Sequence, residues 1–302
     1  MAFAYMQLGR FDEAKAALTQ AESRGMSSVA FHMIRYMIAC AQNDDAGLKK
    51  EADWAHGQAP EIEIVMVQLE IARAAGYGQI RKARELTDRG VDLAQGRQLS
   101  EATAAFITTQ AALEAKAGSY SQARDEAMKA LKIAHGKHVE YYAALAFARA
   151  GESTEATSLA SDIAKHFPLD TFENKVHIPV VLALVEIHRG NPGRAIELLQ
   201  PSSDYEFGEE QFLVPAEVRG EAYLQMHNGK SAGEEFQKIL DHRGVAPFDF
   251  PLAKLGSARA YLLLGDNLKA KAAYNDFFSF WKDADPDIPI LKQAKAEYAK
   301  LQ

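Results

Sequence analysis

The sequence predicts an all-α solenoid assembled from helix–turn–helix pairs, and three observations carry that expectation. The chain of 302 residues holds 53 alanines against only 10 prolines and 20 glycines. Alanine has the best intrinsic helix propensity and lets helices pack closely. One pattern also recurs from end to end: an apolar helix, a Gly or Asn, then an Ala five residues on that opens a second helix. It is clearest at Gly9/Ala14, Gly78/Ala83, Gly118/Ala123, Gly151/Ala156, Gly190/Ala195 and Gly265/Ala270, with degenerate copies at Asn43/Leu48 and His227/Ala232. Finally, successive anchors lie 34, 35, 40, 33, 39, 37 and 38 residues apart. That is the period of stacked helical hairpins, each burying its apolar face against its neighbours. The repeat overrules the two domains that length alone suggests.

Each element follows in order. The chain opens inside a pair, because only eight residues precede Gly9 where a full first helix needs about 14. The shortfall is roughly 9 Å of helix. Phe3, Tyr5, Met6 and Leu8 begin the chain without a polar cap, so Met1 is expected to be an internal methionine of a longer protein or to follow a lost repeat. A short, frayed first helix in a free-standing protein is the alternative. Within each pair the Gly ends the first helix, where a left-handed backbone is easiest without a Cβ. The Ala marks the close crossing of the two helices. Apolar residues follow at helical spacing: Leu18 with Ala21, Ala127 with Ala130, Phe236 with Ile239, Tyr274 with Phe277. Pro60 and Pro168 stand where a second helix should stop. Residues 201–211 form the longest expected loop, and Asp204, Glu206, Glu209 and Glu210 make it read as a solvated acidic linker, or else an acidic docking patch. Pro286 and Pro289 then break the array. Residues 290–301 form a last amphipathic helix, with Leu291, Ala294, Tyr298 and Leu301 inward and Lys292, Lys295, Glu297 and Lys300 in water. Lys300 suits the negative end of the helix dipole. The expected organisation is about eight pairs over 1–287, the first truncated, and a capping helix over 288–302.

The stretches Tyr5-Met6-Gln7-Leu8-Gly9-Arg10-Phe11-Asp12-Glu13-Ala14 and Ala258-Arg259-Ala260-Tyr261-Leu262-Leu263-Leu264-Gly265 resemble the tetratricopeptide repeat family. The resemblance extends over nearly the whole chain and implies a right-handed superhelix of helix pairs. A narrower resemblance covers residues 252–302, through Lys254-Leu255-Gly256-Ser257-Ala258-Arg259 and Trp281-Lys282-Asp283-Ala284-Asp285-Pro286-Asp287-Ile288-Pro289. This stretch is similar to the C-terminal end of bacterial serine/threonine protein kinases that carry such arrays, and to tails of bacterial winged-helix regulators. In those kinases the catalytic domain lies N-terminal, usually before a membrane span.

Composition narrows the function. The net charge of −7 and the lack of a basic stripe argue against nucleic-acid binding. The single cysteine, Cys40, excludes an internal disulfide and a multi-cysteine metal site. No uncharged run approaches the ~20 residues of a membrane helix; the most apolar stretch, residues 178–185, is flanked by His177 and Glu186. Residues 1–10 do not have the pattern of a signal peptide. Kinase motifs are absent: Gly76-Tyr77-Gly78 lacks a third spaced glycine, and His242-Arg243-Gly244 is not a catalytic loop. Carboxylates are scattered, so no catalytic residue and no cofactor is expected. His135 and His138 are three apart, but Gly136 intervenes and no third ligand is evident, so no metal is expected. Tyr36, Trp54, Trp281, Met26, Met33 and Met37 read as core.

The family resemblance implies that the first helix of each pair lines a concave groove at set offsets before the anchor. Carried over, these offsets give His138, Tyr141, Leu145, Ala148 and Arg149, then His177, Val180, Leu184, Ile187 and His188. The last two pairs give Val214, Glu217, Glu221, Leu224 and Gln225, then Leu252, Leu255, Arg259, Leu262 and Leu263. Earlier pairs give mostly small residues, among them Ala72, Ala75, Ala105, Ala112 and Ala115. The candidate partner-binding residues are therefore His138, Tyr141, Arg149, His177, His188, Glu217, Glu221 and Arg259. Apolar pockets with sparse polar groups suit a peptide or protein segment. The expected function is a non-catalytic interaction scaffold, the sensor or docking region of a signalling protein of the kinase type. The alternatives are a free-standing adaptor or a small-ligand-binding accessory domain of a transcriptional regulator. The first would place the array outside the cytoplasmic membrane, the second in the cytoplasm.

Overall fold

The computed structural model describes residues 1–208 and 213–301; Glu209 and Glu210 of the acidic stretch lie outside the described residues. Among these residues there are seventeen α-helices and no strand. Sixteen helices form eight consecutive hairpins. These are α1 (Ala2–Gln7) with α2 (Phe11–Ser23), α3 (Val29–Gln42) with α4 (Asp45–Ala55), α5 (Pro60–Gly76) with α6 (Ile80–Gln95), and α7 (Ser100–Lys116) with α8 (Tyr120–Leu131). They continue as α9 (Lys137–Ala150) with α10 (Ser153–His166), α11 (Ile178–His188) with α12 (Pro192–Leu198), α13 (Val214–Gln225) with α14 (Gly229–Asp241), and α15 (Phe250–Leu263) with α16 (Asn267–Phe280). A π-helical turn, Glu173–His177, leads into α11, and α17 (Pro289–Ala299) follows the last hairpin. Each helix packs chiefly on its neighbours in sequence. No described helix is long and apolar enough to cross a membrane.

The eight turns share one geometry. Every anchor, including Asn43 and His227, has a positive φ between 54° and 91°. The residue after each anchor donates its N–H to the carbonyl five positions back, as in Arg10 to Tyr5, Gln79 to Ala74 and Asp266 to Tyr261. This is the Schellman closure that satisfies the end of the first helix. Five residues beyond seven of the anchors, Ala14, Ala83, Ala123, Ala156, Ala195, Ala232 and Ala270 are fully buried. Leu48 is half-buried at the eighth position.

The array folds back on itself. The connection between α14 and α15 lies against the first helices of the N-terminal hairpins. There the Cys40 thiol donates to the Pro247 carbonyl at 3.3 Å, and Arg243 donates to Asn43 at 3.2 Å. Trp281 Nε1 donates to the Gly76 carbonyl at 3.0 Å, the Asp285 N–H to the Gly78 carbonyl at 2.9 Å, and the Ile290 N–H to the Ala117 carbonyl at 3.3 Å. Small inward residues permit this approach. A Cβ on Gly76 would fall 2.2 Å from the Phe248 carbonyl oxygen, and one on Gly244 would fall 1.8 Å from that of Met6. The cores are therefore composite. Val67, Ile71 and Ala75 share one with Leu255, Tyr274, Phe277, Trp281 and Leu291. Met6, Met37, Cys40 and Met66 share another with Phe248.

Several local expectations need correction. Pro60 opens α5 at its first position rather than stopping α4. Glu297 is not in water: it accepts from Arg259 Nε at 3.0 Å and from Tyr274 Oη at 2.8 Å. Glu206 is not a solvated loop carboxylate. It is buried and paired with Arg219, which also reaches Glu235 at 2.9 Å, and Lys238 stands 3.3 Å away. Tyr36 and Trp281 are buried. Trp54 is half-buried with its ring stacked on His32, and Met26 is exposed.

Burial pushes the Cys40 thiol up to about 12, so its reaction with a thiol reagent reports opening of the seam. Gly244→Ala is expected to lower unfolding free energy by about 1–3 kcal/mol and to speed native-state labelling of Cys40. Gly193→Ala, where a Cβ meets nothing within 4 Å, should do neither. Urea unfolding and labelling kinetics of the two variants check this.

Candidate functional site

Five charged side chains meet inside the closed array. Lys116 is the last residue of α7, Arg149 lies in the last turn of α9, and Asp249 is the N-cap of α15. Glu217 and Glu221 sit four apart on α13, which places them on one helix face. Lys116 Nζ donates to Glu217 and to Asp249, both at 2.6 Å. Arg149 donates to both oxygens of Glu221 at 3.0 and 3.2 Å, and to Glu217 at 3.4 Å. The Lys116, Arg149 and Glu217 side chains are 17%, 16% and 9% exposed, and those of Asp249 and Glu221 are 20% and 30%.

Two cations face three carboxylates, so the cluster carries one surplus negative charge. Burial first, and then the charges facing each group, set the proton affinities. For Glu217 burial opposes ionisation, but Lys116 and Arg149 together outweigh it and hold the carboxyl below its ordinary range. For Glu221 burial is the largest influence and, with the like charge of Glu217, outweighs Arg149, so its carboxyl lies above that range. Asp249 is raised likewise, by burial first, against the pull of Lys116 and with the push of Glu217. Burial works against the Lys116 ammonium, yet Asp249 and Glu217 raise it above its ordinary value.

Beside this cluster is a cavity of about 60 Å³, lined among others by Lys116, Glu217, Glu221, Asp249 and Arg259. A single water needs about 10–15 Å³ on such a measure, so the space holds several waters or a small molecule. It has no room for a folded segment. Its remaining walls are mostly apolar, with Leu252, Leu255 and Ile290 among them. Arg259 spends Nε on Glu297, and its buried Nη2 meets no acceptor.

The other expected residues form an aromatic cluster on α9 and the π turn. Tyr141 is buried and stacked on His177, with ring centres 3.9 Å apart, and Tyr142 meets its edge. His138 is exposed and lies against Tyr142, 4.5 Å between centres. His177 Nδ1 stands 3.0 Å from Glu173 Oε1. Burial, with the nearby charge on Glu173, pushes the Tyr141 hydroxyl well above its ordinary value. His188 is exposed and apart from both clusters, its ring close over Gly151. No described group of three or more His, Cys, Asp or Glu side chains could hold a metal ion.

The offsets from the anchors thus lead to Arg149, Glu217 and Glu221 in one cluster, with Arg259 beside the same cavity. They also lead to His138, Tyr141 and His177 in the other cluster. Lys116 and Asp249 were missed. Lys116 stands two residues before Gly118, as Arg149 does before Gly151, so the same offset marks it. Asp249 precedes the first offset of its pair and carries no such signal. Compared with protein-family models and with curated proteins, the sequence matches none.

Lys116→Met removes the shared partner of two carboxylates and is expected to cost about 3–5 kcal/mol of stability, read by urea unfolding. Asp249 and Glu221 hold protons more tightly folded than unfolded. Their contribution therefore strengthens as pH falls from neutral toward the ordinary carboxylate range near about 4. Glu217 works in the opposite sense, and its contribution is lost below that range. Asp249→Asn with Glu221→Gln should flatten the rise on mild acidification. An unchanged pH profile of stability would contradict the assignment.

Proposed function

We propose that this chain is a non-catalytic binding scaffold of the tetratricopeptide type, the sensor or docking region of a bacterial signalling protein of the serine/threonine kinase kind. One observation carries the repeat type. Eight left-handed turns recur at 33–40 residues, and a fully buried alanine follows seven of them five positions on. That spacing and that small residue are what the family's helix crossing requires. The binding role rests on the inner face, where charged and aromatic side chains gather rather than the uniform apolar packing of a purely structural array. Of the expected positions, His138 and His188 are the exposed ones that a protein partner can reach, since Arg149, Glu217 and Arg259 already pair within the chain.

A second reading, a domain that binds a small ligand within the array, is favoured by the cavity between α7, α13 and α15. The two readings separate experimentally. The chain is immobilised and the proteins it retains from an extract of its own organism are identified. His138→Ala with His188→Ala should reduce specific capture about tenfold at an unchanged melting temperature. Equal capture by the double variant removes the inner face of the fifth and sixth hairpins from the partner surface.

A further inference from the structure

We propose that Arg73 and Arg243 form a binding site for a phosphate group, as the free ion or on a monoester, at the seam where the array folds back. The site shares no residue with the interior cavity and depends on neither reading given above.

The two cations come from opposite sides of the seam. Arg73 lies in the last turn of α5, and Arg243 in the connection between α14 and α15. Each guanidinium stands on an aromatic ring: Arg73 over Tyr77, 3.1 Å from the ring centre, and Arg243 over Phe250 at 4.0 Å. Such stacking holds a guanidinium in place and leaves its N–H edge to take an oxyanion. Both edges lead to one turn. Arg243 Nη2 donates to Asn43 Oδ1 at 3.2 Å, and Arg73 Nη2 stands 3.8 Å from Asp45 Oδ1. Asn43 and Asp45 are exposed, so these Nη2 atoms lie toward the surface and not toward the core. Asn43 Oδ1 also accepts from Tyr77 Oη at 3.0 Å, which joins the support of one arginine to the contact of the other.

Charge decides the ligand. Arg243 forms no ion pair with any described residue. Asp45 is the carboxylate paired with Arg73, beyond hydrogen-bond length and 89% exposed, so it neutralises little. Two cations thus share one loosely held carboxylate, on a chain whose net charge is −7. A carboxylate ligand would occupy one guanidinium fork. A phosphate group carries close to two negative charges near neutral pH and several acceptor oxygens, so it accepts from both guanidiniums and balances both. Bound there, it joins α5 to the α14–α15 connection. It thereby holds the seam shut over Cys40, whose partner Pro247 lies on the same connection as Arg243.

The test titrates the whole chain with inorganic phosphate against chloride at constant ionic strength and neutral pH. Phosphate at about 10 mM is expected to give a saturable rise in melting temperature and to slow labelling of Cys40 about fivefold. Arg73→Gln and Arg243→Gln should each remove both effects. Arg73→Lys and Arg243→Lys keep the charge, lose the fork and should weaken phosphate about tenfold, even where a Gln variant folds poorly. Asp45→Asn removes the competing carboxylate from an exposed position and should tighten phosphate about threefold; arginines that only brace the seam would gain nothing from it. Phenyl phosphate separates the two sources: binding tighter than that of phosphate assigns the site to a monoester, and weaker binding assigns it to the free ion. Acetate acting as strongly as phosphate would overturn the phosphate assignment. A phosphate effect that survives the arginine substitutions sinks the site, and so does the lack of a saturable effect from both phosphate and phenyl phosphate.

Discussion

A single ammonium group, Lys116 Nζ, ties the fourth hairpin of this array to the seventh and eighth. It ends α7 and reaches across the interior to Glu217 on α13 and to the N-cap of α15. The charge would be prohibitive in that position alone, and so would either carboxylate. Together they are tolerable, and they link helices that begin more than one hundred residues apart. The interior can be polar only because the array closes around it. The array in turn closes at this spacing because glycine and alanine line the approach, at Gly76, Ala75 and Gly244.

The local architecture was legible in the sequence because its causes are local. A left-handed turn needs glycine, or a residue that tolerates positive φ, and the helix after it needs a small side chain at the crossing. Both requirements leave marks within six residues. Asn43 and His227 take the same geometry as the glycines, which shows that the turn is imposed by the packed hairpins and not by glycine alone. The closure was not legible. Its contacts, such as Trp281 with Gly76, join residues that no periodicity relates. Glu297 and Glu206 were read as solvated because charged residues on helix ends and loops are usually exposed, whereas the packing of adjacent helices provides Tyr274, Arg259 and Arg219 as partners.

The candidate site divides along the same line. The offsets implied by the family resemblance led to residues of α9, the π turn, α13 and α15 that gather in two clusters, with His188 apart from both. Offsets cannot say what an inward residue meets. Tyr141 and His177 were expected to face a partner, and they face one another. Arg149 and Glu221 do the same. Much of that face thus satisfies itself, which leaves a partner the exposed His138 and His188 and the small cavity beside the charged cluster.

The fold-back also sets an order of events during synthesis. Cys40 bonds to a carbonyl 207 positions later, and Gly76 to a side chain 205 positions later. At ribosomal speeds of about 5–20 residues per second, the early hairpins wait some 10–40 s for their partners to be made. Throughout that interval the faces of α3 and α5 that will cover Pro247, Phe248 and Trp281 stand open to the surroundings. An open solenoid of the same helices would finish each hairpin as it emerged. This chain completes its first hairpins almost last, once residues 247 and 281 have been made.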